Sequence, residues 1–225
     1  MNYRQTRNAY CNCNRRIYEG VGQFNIPEIL PQEMDLTDPK VIGFNYAKGE
    51  DFPEEEICHF YLDDYQFDRV WKEPDLYIPL MRKFKAVLAP DFSLYDDFPM
   101  AVNVYNHYRK HWISRYWQDH EVKVIPTICW ADGCLDWCFD GTPRRATISI
   151  SVLGCNKGDG RDYWTGFHRA IEILEPKQIL LFKGTSKVDL PPLDCDVVEV
   201  ISGNLAGAKE HKKSLKSTNV LTEAL

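Results

Sequence analysis

The hydrophobic positions along the chain fall into short runs that are separated by polar breaks, beginning near residue 41. Several of these runs are almost continuously apolar, which is typical of strands that are covered on both faces. The runs that we predict to be strands cover residues 41–48, 58–62, 86–90, 123–130, 147–154, 178–182 and 197–201.

Amphipathic stretches between these runs predict helices over 67–83, 99–119 and 162–174. Asp96 or Asp97 is the expected N-cap of the second helix, because a proline, Pro99, is favoured just inside a helix start. Strands that alternate with helices favour right-handed crossovers and therefore a mainly parallel sheet. We predict an α/β fold whose mainly parallel sheet has about six to seven strands, either as an open sheet or as a partial barrel.

The domain organisation follows from where this pattern starts and stops. We predict an irregular, proline-punctuated N-terminal arm over 1–40, a single α/β domain over 41–205 and a basic tail over 206–225. A chain of 225 residues suits one domain of this kind.

Composition narrows the class of protein further. The chain is 44% hydrophobic and 27% charged, as globular domains are, and its net charge of −6 argues against a strongly basic nucleic-acid-binding surface. No apolar segment approaches the roughly 18 residues of a membrane helix, and the N-terminus lacks the apolar core of a signal peptide. We therefore expect a cytoplasmic protein with no membrane contact, whose eight cysteines are thiols or metal ligands.

Several segments together resemble a known family. They are HFYLDDYQFDRVW, VLAPDFSLYDDFPMAVNVYNHYRKHWISRYWQ, KVIPTICW, WCFDGTP and ISISVLG. They resemble the family catalogued as domain of unknown function 4417, which occurs in Gram-positive bacteria, their phages and mobile elements. The resemblance covers roughly residues 40–185, and APDFSLY followed by DDFPMA is its most specific part. It implies a compact α/β domain in a phage or mobile-element setting, and it implies no mechanism.

Acidic and aromatic residues follow the predicted strands, where parallel sheets and barrels bind their ligands. If these strand ends share one rim, the carboxylates there could form a general acid/base pair or bind a divalent metal. Alternatively, such residues cap helices or shape turns, and for Asp91 and Asp63 that alternative stays open. The predicted catalytic residues are Asp91, Asp63, Asp64 and Asp132, and the predicted ligand-binding residues at the same rim are Ser93 and Trp130.

A glycine-containing segment between the strand at 147–154 and the helix at 162–174 predicts a second contact. Its backbone N–H groups and the start of the helix could bind an anion, although it matches neither the Walker nor the dinucleotide fingerprint. A surface loop is the alternative interpretation. The residues of this segment that we predict to bind a ligand are Cys155, Asn156, Gly158, Gly160 and Arg161.

The cysteines and histidines give weaker signals. Cys11-x-Cys13, and Cys129 with Cys134 and Cys138, have spacings that suit structural zinc poorly, so we do not favour zinc. His107 and His111 stand one turn apart on the second predicted helix, with Arg115 one turn further. We interpret them as a partly exposed polar stripe. The opposite stripe, which includes Val104, Tyr108, Trp112 and Tyr116, is expected to be core.

Three functions remain open. The strand-end acids favour an enzyme, a hydrolase or transferase that acts on a nucleotide, glycosidic or phosphodiester substrate. The phage setting is also compatible with a non-catalytic protein that binds and inhibits a host factor, for example one of antiviral defence, through acidic loops such as 49–56. A weaker alternative is a nucleic-acid-handling accessory protein that uses Arg109, Lys110, Arg115 and the KEHKK tail.

Overall fold

A computed structural model describes residues 11–152, 163–183 and 190–200 of the chain. Two four-stranded sheets form its centre, and every strand pair in both of them is parallel. In both sheets the strands lie side by side in chain order, and this confirms the predicted α/β fold. The first sheet contains β3 (Lys40–Gly43), β4 (Glu56–His59), β5 (Ala86–Leu88) and β6 (Val124–Ile125), and the second contains β7 (Thr127–Ile128), β8 (Thr147–Ser151), β9 (Gln178–Phe182) and β10 (Asp196–Val200).

Pro126 separates the two sheets. The sequence pattern predicts one strand over 123–130, but proline has no N–H with which to continue a ladder, and β6 ends directly before it. The carbonyl of Pro126 still accepts a hydrogen bond from the Ser149 N–H at 2.8 Å. The chain therefore passes from one sheet to the next at a single residue.

The two sheets share a hydrophobic cluster. Strands of both sheets contribute buried side chains to it, among them Val41, Ile57, Leu88, Ile125, Leu180, Phe182 and Val200. The sheets therefore enclose a common core, as a partial barrel does and a flat open sheet does not.

The described residues form four helices beside the strands, namely α1 (Arg69–Lys72), α2 (Pro74–Met81), α3 (Met100–Asp119) and α4 (Tyr163–Leu174). The predicted helix at 67–83 is divided at Glu73, whose φ of −134° and ψ of 62° are not helical, because the residue before a proline avoids the helical region.

The predicted N-cap of α3 is wrong. Pro99 occupies the cap position, and no side chain caps the helix. Asp96 and Asp97 lie too early in the chain, and the carboxylate of Asp96 instead accepts a hydrogen bond from the Asp132 N–H at 2.7 Å.

The N-terminal arm contains one short hairpin. β1 (Gly20–Val21) pairs antiparallel with β2 (Ile26–Pro27), and β2 packs on α3. Over residues 11–39 the arm is otherwise irregular, as predicted. None of the helices in the described part of the chain is both long and apolar enough to span a membrane.

Candidate functional site

Helix α3 turns a polar face towards the interior. Its members recur at the three- and four-residue spacing of one helix face, and each is at most 4% exposed. They are Asn103, Asn106, His107, Lys110, His111 and Ser114. The interpretation of His107 and His111 as a partly exposed stripe is therefore wrong. The physical reason is that this face meets backbone carbonyls of neighbouring loops, which need hydrogen-bond donors when they are buried.

Two asparagines of this face hold the loop that follows β5. Asn103 donates to the carbonyl of Tyr95 at 2.8 Å and accepts from its N–H at 3.2 Å. Asn106 donates to the carbonyl of Ser93 at 2.7 Å. The guanidinium of Arg109 donates to Asn106 Oδ1 at 2.6 Å and lies 3.8 Å from the centre of the Phe92 ring. The loop is therefore fixed at several points.

The two buried histidines donate hydrogen bonds to different backbone carbonyls. His107 Nε2 donates to Asp140 O at 2.9 Å, and His111 Nδ1 donates to Pro27 O at 3.1 Å. Burial lowers the pKa of His107 well below its ordinary value and that of His111 to about 3, so both imidazoles are neutral. Their second nitrogens have no hydrogen-bond partner within the described residues.

Lys110 is the one cation on this face, and it is 1% exposed. Its Nζ donates to Thr127 O at 3.1 Å and to Cys129 Sγ at 3.1 Å. Burial alone would lower the pKa of Lys110, but Cys129 and Asp91 raise it above its ordinary value. We infer that the ammonium stays charged, chiefly through Asp91, because burial raises the pKa of the Cys129 thiol to about 12 and keeps it neutral.

Asp91 lies three residues after the end of β5 and interacts electrostatically with this lysine. The residue is half-buried, yet its Oδ1 is shielded from solvent and has no hydrogen-bond partner among the residues described. Burial raises the pKa of Asp91, and Lys110 and the hydrogen-bonding side chains of Cys129 and Thr127 offset this rise only in part. The site thus contains a carboxyl group whose pKa is raised and whose Oδ1 has no hydrogen-bond partner within the described part of the chain.

A second carboxylate lies near the first. Asp64 accepts hydrogen bonds from the Ser93 N–H at 3.2 Å and from Ser93 Oγ at 2.9 Å, and its charge contributes to the raised pKa of Asp91. The structure therefore brings together three of the predicted site residues, Asp91, Asp64 and Ser93.

Aromatic and hydroxyl groups adjoin the carboxyl groups. The Trp130 and Tyr163 rings are 4.9 Å apart. Tyr61 donates to Ser149 Oγ at 3.0 Å, since the Ser149 hydroxyl is itself a donor to Leu180 O. Burial and the neighbouring Asp91 raise the pKa of Tyr61 well above its ordinary value. Trp130, Tyr163 and Tyr61 are each half-buried.

The other predicted residues lie apart from this cluster. Asp63 is exposed, and its carboxylate accepts from Gln66 Nε2 at 3.4 Å in the same turn. Asp132 is exposed in the short 3-10 turn that begins with it. Their catalytic roles stay predictions. The predicted anion-binding residues of the glycine-containing segment, Cys155, Asn156, Gly158, Gly160 and Arg161, lie outside the described residues.

Three basic residues of α3 belong to the nucleic-acid alternative. Lys110 is buried, Arg109 pairs with Asp68 at 2.9 Å, and Arg115 pairs with Asp119 at 3.1 Å. The KEHKK tail lies outside the described ranges. Over residues 11–152, 163–183 and 190–200, no group of three or more His, Cys, Asp or Glu side chains is arranged to hold a metal ion.

Gly166 of α4 sets the position of Trp130. A Cβ at Gly166 would lie 2.1 Å from Trp130 Cδ1 and Nε1, so Gly166→Ala must displace the indole or the helix. We expect a loss of about 2 kcal/mol in the free energy of unfolding, because overpacking exceeds the gain of about 1 kcal/mol in helix propensity. Chemical denaturation monitored by tryptophan fluorescence measures this loss.

Gly133 provides the matched control, because a Cβ there meets nothing within 4 Å. Gly133→Ala should change the stability by less than about 0.5 kcal/mol. Equal stability of the two variants would show that Trp130 is not packed against α4 as described.

Comparison with known proteins places the chain among phage sequences. The family described as "Domain of unknown function (DUF4417)" matches residues 18–200. The chain is similar to the Gene 1 protein of Mycobacterium phage L5, with 32% identity over 79% of this chain and 80% of that protein. It is also similar to the Gene 1 protein of Mycobacterium phage D29, with 40% identity over 75% of this chain and 63% of that protein. The chain thus covers less than two thirds of the D29 protein. No solved structure matches the chain.

Proposed function

The chain belongs to the DUF4417 family, and within that family we propose that it is an enzyme, a hydrolase or transferase that acts on a nucleotide or another glycosidic or phosphodiester substrate. The observation that carries this proposal is Asp91 Oδ1, which is shielded from solvent, lies near the buried ammonium of Lys110 and has no hydrogen-bond partner among the described residues. Buried polar atoms without a partner are rare in proteins, because each costs about 1–3 kcal/mol. A substrate hydroxyl or amino group would supply the missing partner.

The chemistry that these residues support is proton transfer. A carboxylate with a raised pKa is a stronger base than an ordinary one, so Asp91 could accept a proton from a substrate hydroxyl or a water and return it to a leaving oxygen. Lys110 would stabilise negative charge that develops next to it, and Asp64 would provide the second carboxylate of an acid/base pair. Trp130 and Tyr163 would form the wall against which a sugar or base packs.

Asp91→Asn tests this proposal. We expect hydrolysis or transfer, measured on a panel of nucleotides, glycosides and phosphodiesters, to fall by about 100-fold or more, as losses of a general acid or base do. Any substrate that raises the melting temperature of the wild-type protein should fail to raise that of the variant.

Asp63→Asn is the matched control, because Asp63 is exposed and bound within its own turn. This variant should keep at least half of the wild-type activity if Asp91 is the acid/base. Full activity of a folded Asp91→Asn protein would show that Asp91 is not the acid/base.

A second candidate function is inhibition of a host factor without catalysis. Large apolar side chains are exposed around the start of α3, and surfaces of this kind often bind proteins. They are Tyr65, Tyr95, Phe98, Met100, Val102 and Tyr105, each between 38% and 79% exposed. Under this proposal, one host protein would copurify in stoichiometric amount with the wild-type chain and with Asp91→Asn, but not with Tyr65→Ser/Met100→Ser.

A further inference from the structure

Two thiols are in contact near the start of the described chain. The Sγ atoms of Cys11 and Cys13 lie 3.3 Å apart, and Cys13 Sγ also donates to the Cys11 carbonyl at 3.7 Å. Both residues are half-buried, whereas Cys58, Cys134 and Cys138 are buried. The pair is therefore within reach of small molecules that do not reach the thiols of the core.

Asn12 between them creates this contact. Its φ of 59° is left-handed, a conformation that few residues other than glycine adopt. Its side chain is fully buried, donates to Trp71 O at 2.8 Å and accepts from Arg15 Nη1 at 2.7 Å. Its carbonyl accepts from the Arg15 N–H at 2.9 Å. Because Asn12 points inward and is held at three points, the two flanking cysteines are held side by side.

The surroundings of Cys13 shift the pKa of its thiol. Burial and the neighbouring Cys11 raise the pKa of Cys13, and a hydrogen bond with the Tyr108 hydroxyl opposes this rise. Tyr108 lies on α3, so the dithiol rests on the same helix as the polar face described above. The sulfurs would have to approach each other by about 1.3 Å to reach the covalent S–S length of about 2.05 Å.

We propose that Cys11 and Cys13 are a redox-active dithiol that forms a reversible intramolecular disulfide by exchange with small-molecule disulfides. In the first step, one cysteine thiolate attacks a sulfur of the small disulfide, forming a mixed disulfide and releasing one thiol. In the second step, the other cysteine thiolate attacks the protein sulfur of the mixed disulfide and releases the second thiol. The small disulfide is reduced to two thiols, the protein dithiol loses two hydrogens, and no other reactant is needed.

Oxidised glutathione is a suitable probe, and intact-protein mass spectrometry is the measurement. The wild-type protein should lose two hydrogens, keep no glutathione adduct at this pair, and recover its full mass after dithiothreitol. Cys11→Ser and Cys13→Ser should each retain one glutathione at the remaining thiol, because no neighbouring thiol resolves the mixed disulfide. Peptide mapping assigns each adduct or disulfide to its cysteine.

Cys195 provides the control, since it is another half-buried thiol of the described chain. Cys195→Ser should leave the Cys11–Cys13 reaction unchanged. A wild-type protein that retains glutathione at Cys11 or Cys13, or that shows no reaction there while small thiol reagents still alkylate them, would overturn the proposal. Circular dichroism of each variant shows whether it is folded.

Discussion

Lowering the pH from 7 to 5 is expected to reduce the free energy of unfolding by about 6 kcal/mol, about 2 kcal/mol for each of three buried histidines. Burial lowers the pKa of His59 to about 4, that of His111 to about 3 and that of His107 well below its ordinary value. In the unfolded chain each would titrate near 6.5. Below that pH the unfolded state takes up protons that the folded state does not, so the stability present above pH 6.5 is lost as the pH falls. Urea denaturation at the two pH values measures the difference.

His59→Leu isolates one of these contributions. Both ring nitrogens of His59 lack hydrogen-bond partners within the described ranges, and the side chain packs against Phe182 with ring centres 5.2 Å apart. Between pH 7 and pH 5, the free energy of unfolding of the variant should fall by about 2 kcal/mol less than that of the wild type. His168 is exposed, and His168→Gln should stay within about 0.5 kcal/mol of the wild type at both pH values. An unchanged pH dependence in His59→Leu would contradict the burial of a neutral imidazole there.

Replacing Lys110 or Asp91 alone is expected to cost about 3 kcal/mol of stability, because each change leaves the other buried charge without its counter-charge. The two groups interact electrostatically, and Cys129 interacts with both. Asp91→Asn/Lys110→Met removes both charges together. The double variant should therefore lose less free energy of unfolding than the two single variants lose together. The coupling energy between the two substitutions should be at least about 1 kcal/mol. Guanidinium denaturation of the wild type, the two single variants and the double variant gives the four stabilities of this double-mutant cycle.

Lys72 offers the matched control for a lysine ion pair. It pairs with Asp68 at 2.6 Å, but 71% of its side chain is exposed. Lys72→Met should change the stability by less than about 0.5 kcal/mol, since exposed pairs contribute little. Additive effects of the Asp91 and Lys110 substitutions would show that the two charges are not coupled.

The strands were predictable from the sequence because their hydrophobic patterns are local. The run at 178–182 coincides with β9, and the run at 86–90 begins with β5, which ends at Leu88; the residues of both strands are almost all buried. Several strands were predicted too long; the runs at 58–62 and 147–154, for example, end as strands at His59 and Ser151. The run at 41–48 ends as a strand at Gly43, and Pro126 divides the run at 123–130.

The inward face of α3 was not predictable by the usual rule that polar residues face solvent. The two histidines were interpreted as partly exposed, and Lys110 was named as a residue that could contact nucleic acid, although all three are buried. One signal was present, namely that Asn103, Asn106, Lys110 and Ser114 recur at helical spacing. That pattern shows which polar residues share a face, but only the positions of the Ser93 and Thr127 carbonyls show that the face is covered.

The strand-end acids were predicted as one group and separate into two. Asp91 and Asp64 meet through the loop that Asn103 and Asn106 hold, and this contact depends on tertiary packing. Asp63 differs from Asp64 by one position in the chain, yet it points into a local turn. Neighbouring acids in a turn cannot be told apart by residue type alone.

Ligand binding by Asp91→Asn/Lys110→Met is the most direct test of the claim that this buried pair belongs to a functional site. The measurement is the shift in melting temperature when nucleotides and glycosides are added to the wild type and to the double variant. We predict that the double variant unfolds cooperatively, with a stability close to that of the wild type, and that it shows no shift with any ligand that stabilises the wild type. An equal shift in both proteins would contradict the account, because the pair would then serve only the fold.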